Sequence, residues 1–163
     1  MATPGRPHKS DPRVDSMTTD IEKGDNEKVT KLLTEVGVDS CDSYLRTALI
    51  WSAFYGNASL LKWLIHNGAN INQQDKNGYC ALHFAGQEKR ADIASILLDN
   101  GADLEIVDAH GNTPLWTAVF NAKGNATVAN LYIQKGADLD HVNKHQRTPR
   151  QMAETFGGFN LKK

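Results

Sequence analysis

The chain has 163 residues, enough for one domain, and its 40% apolar and 23% charged content is that of an ordinary soluble globular protein. A net charge of −1 and a pI near 6.6 give no broad electrostatic field, so neither nucleic acid nor anionic membrane is an expected partner. Cys41 and Cys80 are its two cysteines and form no CxxC, which argues against a disulfide scaffold or zinc site and for a reducing compartment. No run reaches the roughly eighteen apolar residues of a membrane span, and Met1 to Pro12 is polar, without the apolar centre of a secretory signal. The expected setting is cytoplasmic, with no cofactor.

Residues 1–11 read as a flexible tail. A first helix is expected near Pro12, capped by Ser10 or Asp11, with Val14, Met17 and Ile21 on one face. After Gly24-Asp25-Asn26-Glu27 a second helix follows, with Val29, Leu32 and Leu33 apolar, and residues 12–41 form an N-terminal capping unit with a polar outer surface. From there the chain repeats. Thr47-Ala48-Leu49 recurs as Cys80-Ala81-Leu82, Thr113-Pro114-Leu115 and Thr148-Pro149-Arg150, in two steps of 33 residues and a last one of 35. Gly68-Ala69-Asn70, Gly101-Ala102-Asp103 and Gly136-Ala137-Asp138 keep the same rhythm. So do Asp75-Lys76-Asn77-Gly78, Asp108-Ala109-His110-Gly111 and the weaker Asn143-Lys144-His145-Gln146.

Each marker has a mechanical meaning. Asp-x-x-Gly is a turn in which Asp accepts a local backbone bond. Thr then caps a helix, and Pro at its first position loses no bond by lacking an N–H. A second helix carries a wide apolar stripe, Leu60, Leu61, Trp63, Leu64 and Ile65 in one unit and Ile93, Ile96, Leu97 and Leu98 in the next. The following glycine suits a left-handed C-cap. Asn57-Ala58-Ser59 and Asn125-Ala126-Thr127 match a glycosylation acceptor pattern, yet each opens an apolar helical stretch, where Asn serves as a cap. Residues 42–142 thus hold three units, and 143–163 a half-unit and tail.

The pattern resembles the ankyrin repeat, D-x-x-G-x-T-P-L-H-x-A-A-x-x-G followed by V-x-x-L-L-x-x-G-A-D, over residues 42 to 156. The resemblance implies an all-α solenoid of about four and a half helix-turn-helix repeats with projecting turn tips. It also implies protein binding on the concave face formed by tips and first helices. Carried over position by position, the tips include Tyr44, Arg46, Lys76, Asn77, Tyr79, His110 and Asn112. The exposed ends of first helices include Phe54, Tyr55, Gln87, Glu88, Phe120, Asn121 and Phe156. Their aromatics stand out in a chain with only 7% Phe, Trp and Tyr, and such side chains bury large areas at little entropic cost. Trp51 and Trp63 fall at inward positions and are expected in the core; Trp116 is ambiguous.

Two departures from the pattern matter. The family's His survives only as His83, with Ile50, Trp116 and Gln151 at its counterparts, and Cys80 replaces its Thr partner. A two-residue expansion lies between Ala118 and Gly136, around Asn121-Ala122-Lys123. The six histidines offer no helical zinc spacing with a flanking acid, and there is no phosphate loop or nucleophile elbow. The expectation is a non-catalytic, monomeric adaptor, regulator or inhibitor holding a folded protein. Alternatives are a toxin-neutralising immunity protein, a structural subunit stacking through its C-terminal edge, or a thiol sensor using Cys80 and His83.

Overall fold

The computed structural model describes residues 11–155 and Leu161; the first ten residues of the expected tail and Phe156 lie outside them. Among the described residues there are nine helices and no strand beyond an isolated bridge between Cys41 and Thr47. They are α1 (Pro12–Lys23), α2 (Asn26–Val36), α3 (Ala48–Tyr55), α4 (Ala58–His66), α5 (Ala81–Gln87), α6 (Ala91–Asp99), α7 (Pro114–Asn121), α8 (Thr127–Gln134) and α9 (Pro149–Thr155). First helices stack in the order α1, α3, α5, α7, α9, and α4, α6 and α8 stack behind them. The result is a solenoid in which each helix pair buries its apolar stripe against its neighbours.

Local chemistry sets the helix ends. Asp11 accepts from the Arg13 N–H at the start of α1, whose buried face is Val14, Met17 and Ile21. Thr47, Asn57 and Thr113 each accept from the backbone N–H three residues on. Asn125 sits one residue early. Ala126 occupies the cap position of α8, and Asn125 instead accepts from the Thr127 N–H and hydroxyl. The extra length of this unit falls in the connection 122–126, where Lys123 and Gly124 both take positive φ; Gly56 and Asn57 alone join α3 to α4.

Leu49, Leu61, Leu64, Leu82, Ile93, Leu97 and Leu115 form a continuous core along the stack, each removing apolar surface worth about 2 kcal/mol. Tyr132, fully buried on α8, donates its hydroxyl proton to the Leu82 carbonyl at 2.7 Å. Trp51 and Trp63 are only half-buried, a correction to their expected core placement. Both lie on faces that the stacking leaves partly open.

Candidate functional site

The turn tips are built four times on one plan. The side-chain Oδ1 of Asp42 accepts from the N–H groups of Tyr44 and Arg46. Asp75 does the same for Asn77 and Tyr79, Asp108 for His110 and Asn112, and Asn143 for His145 and Arg147. All four anchors are buried. Consecutive tips are then tied backbone to backbone: Lys76 N–H to the Tyr44 carbonyl (3.0 Å), Ala109 N–H to Asn77 (2.9 Å), and Lys144 N–H to His110 (3.0 Å). Gly78 permits this approach. Its φ is +79°, and a Cβ there would meet the Asp108 Cα at 2.9 Å.

In the angle between the tips and the first helices lies a groove of about 560 Å³. Trp51 and Phe54 come from α3 and Phe84 from α5, while Arg46, Tyr79 and His110 come from the tips. Its aromatic floor is mutually packed. Phe54 meets Trp51 and Phe84 edge-on at centroid distances of 5.7 and 6.0 Å, and Tyr79 leans on Phe84 at 5.3 Å. The Arg46 guanidinium lies 5.0 Å from the Trp51 ring and 5.2 Å from that of Phe84, and its Nε donates to the buried Asp75 at 3.0 Å. A second aromatic patch stands beyond the groove, where Phe120 stacks on Trp116 at 5.2 Å.

The structure distributes the expected contact residues unevenly. Tyr44 and Phe120 are open, at 60% and 49% exposure, and Lys76, Asn77 and His110 are also exposed. Phe54, Tyr55, Tyr79, Gln87, Glu88 and Asn121 are half-buried. Tyr55 stacks on Trp51 at 5.8 Å, and burial, then the nearby Glu22 charge, pushes its phenol up. Gln87 donates to Glu88 and Asn121 to the Thr117 carbonyl. Arg46 is committed to Asp75. Asn112 is a correction: it is buried under the third tip, giving its amide to Asp108 and accepting from Asn143.

Sequence reasoning missed Trp51 and Phe84 as groove residues. They occupy one repeat position, 33 residues apart, on first helices and inward of the helix ends expected to be exposed.

Cys80 and His83 do not form a reactive pair, which corrects the thiol-sensor alternative. Both are buried. His83 Nδ1 accepts from the Cys80 N–H at 3.2 Å, with the Cys80 Sγ 3.1 Å away, and Nε2 faces the Asn112 carbonyl at 3.0 Å. The backbone donor assigns the proton to Nε2. Burial pushes the thiol up to about 11 and the imidazole down from its ordinary value, so no thiolate forms near neutrality. The cysteine stands in for the capping Thr, and the imidazole ties its own repeat to the next tip.

Stacked helix pairs, anchored tips and a partly aromatic groove define a helical repeat protein. The chain belongs to the ankyrin-repeat family, whose model, described as ankyrin repeats in 3 copies, matches residues 21–75 and 52–143. It is 32% identical over 96 residues to Protein phosphatase 1 regulatory subunit 27 of Mus musculus, covering 58% of this chain and 62% of that protein. It is 42% identical over 64 residues to Neurogenic locus notch homolog protein 1 of Danio rerio, covering 39% of this chain and 3% of that protein. A match to Palmitoyltransferase AKR1 of Lachancea kluyveri, 32% identical over 69 residues, spans 42% of this chain and 9% of that enzyme. The chain thus spans less than two thirds of each of these relatives. Among the described residues no helix is long and apolar enough to cross a membrane.

Proposed function

We propose that this chain is a non-catalytic module that holds a folded protein in the groove between its tips and first helices, as an adaptor, regulator or inhibitor. The observation that carries the reading is the floor of Trp51, Phe54, Tyr79 and Phe84, already packed into shape and flanked by the exposed Tyr44 and Phe120. Rigid aromatics need little ordering on association, so most of their contact area is realised as affinity. Ankyrin repeats generally mediate protein–protein interaction, and one relative is named as a regulatory subunit. A partner covering the groove and the Trp116–Phe120 patch buries about 800 Å² on each side. Site-specific photo-crosslinking tests this. A benzophenone amino acid at Tyr44, Lys76 or Phe120 is expected to trap a partner in native lysate, and the same probe at Lys62 on α4 is expected not to. Equal trapping at Lys62 would sink the groove as the contact surface.

A further inference from the structure

A net charge near zero conceals a segregation of charge. Every Asp in the tips is turned inward: Asp42, Asp75 and Asp108 are buried and spend Oδ1 on backbone N–H groups. Helices α3, α5 and α7 contain no Asp or Glu. The charged or basic residues that the second to fourth tips show to solvent are Lys76, His110, Lys144, His145 and Arg147. Two of these cations are held along the rim, Lys76 with its Nζ 6.0 Å from the Tyr44 ring and Lys144 with its Nζ on the Ala109 carbonyl at 2.8 Å. Among the acids near the site, Asp15 accepts the Ser43 N–H and Glu88 accepts from Gln87 Nε2, while Glu22 of α1 lies by Tyr55 and Glu154 stands on α9, at the two ends of the row of first helices. Exposed acids gather instead between second helices and the next tips, at Asp103, Glu105 and Asp138, with Asp99 at the end of α6 paired to Lys135 and Asp140 paired to Arg150. Solution screening falls off over roughly 8 Å, so a partner in the groove senses the rim and not the net charge.

Building on the groove reading above, we propose that the occupant is an acidic segment of the protein partner. An apolar side chain of that segment rests on the Trp51–Phe54–Phe84 floor, and its carboxylates meet Lys76, Lys144 and Arg147. Arg46 does not take part as a free cation, since Asp75 already neutralises it. A polynucleotide fits less well. Three rim cations are few against the six to ten phosphate contacts of a typical DNA-binding surface, and the acids of the inter-repeat segments repel an extended polyphosphate.

The test uses the full chain as bait for a random-peptide phage library, with the best binder synthesised and measured by fluorescence anisotropy. The expected winners carry net negative charge around one or two large apolar residues. Lys76→Glu with Lys144→Glu is expected to weaken them by at least about tenfold, with an unchanged melting temperature and a reduced dependence on salt. Phe54→Leu, which keeps an apolar side chain in the floor at some loss of volume, is expected to weaken them as well. Neutral or basic winners that respond to Phe54→Leu but not to the lysine reversals overturn the charge proposal and leave the groove intact. Winners insensitive to both, or no winners, overturn both readings. A thirty-residue oligothymidylate or heparin that displaces the peptide at equal concentration overturns the choice of an acidic protein segment.

Discussion

Helices α5 and α7 place His83 and Trp116 at the same repeat position and use it in opposite ways. His83 has a nitrogen on each edge and joins two buried backbone groups, the Cys80 N–H and the Asn112 carbonyl. Trp116 has a single donor, and its buried Nε1 finds no acceptor among the described residues. Its ring instead supports Phe120, which stacks on it and stands half in solvent. One frame position is therefore a tie between repeats in one unit and the base of an open surface in the next. Solenoids tolerate this because each unit answers only to its neighbours.

Breaking the tie has the largest expected effect. His83→Ala leaves the buried Cys80 N–H without its partner, takes one of two donors from the Asn112 carbonyl, which keeps the Asp108 N–H, and opens a ring-sized void, at a cost of about 3 kcal/mol. For a chain of this length that is a fall of roughly 10 °C in melting temperature. Thermal melts followed by circular dichroism measure it, and a fall of only a degree or two would show that the imidazole is not the tie.

The two aromatic patches separate next. Phe54 touches Trp51, Tyr55 and Phe84, so Phe54→Ser is expected to cost about 2 kcal/mol of stability along with any binding. Phe120→Ser is expected to stay within about 0.5 kcal/mol while lowering partner cross-linking from Tyr44. Paired urea titrations of the two variants decide the matter. Equal losses of stability would place Phe120 in the packing and erase the distinction between the patches.

The tie is also sensitive to pH at both ends. Burial holds His83 below its ordinary 6.5, so below that pH the unfolded chain takes up a proton that the folded chain refuses. Its stabilisation is complete above pH 6.5 and is lost as the pH falls, by at most about 1.4 kcal/mol per pH unit. Cys80 is the mirror case. Its thiol rises from 9.0 to about 11, so its share is complete below pH 9 and is lost as the pH climbs through the folded value. Melting temperatures from pH 5 to 11 should show both flanks. His83→Gln should flatten the acid flank and Cys80→Thr the alkaline one; persistence of either slope would assign it to other groups.

The frame of the fold was legible because it is carried by backbone-directing residues. Asp in the turn, Thr or Asn at the cap and Gly after the second helix act through local hydrogen bonds and φ, which depend little on distant partners. The floor of the groove was less legible. Trp51 sits on a helix face that reads as inward, and only the stacking of α5 beside α3 decides that its ring closes over Arg46. Asn112 was misplaced for the converse reason. A polar residue at a tip reads as exposed, but the next tip brings Asn143 over it at 2.7 Å. Cys80 and His83 read as a candidate thiol pair because the imidazole's other partner, the Asn112 carbonyl, comes from the neighbouring repeat. Residues whose roles are fixed across a repeat boundary are the ones a linear reading loses.

The smallest effect tests the other half of the comparison. Trp116→Phe removes an indole N–H whose burial without an acceptor costs about 1 kcal/mol or more, and keeps most of the ring beneath Phe120. The smaller ring gives back part of that gain as lost packing, so the net expectation is neutral to about 1 kcal/mol more stable. The outcome bears on why this unit departs from the histidine of its neighbour. A stabilised variant means that the indole is kept at a cost to the fold, as the wide platform under the exposed Phe120. Paired urea titrations of wild type and variant read it directly. A loss above about 1 kcal/mol would mean that the Trp116 Nε1 has a partner after all, and that the α7 site is a second tie rather than an open surface.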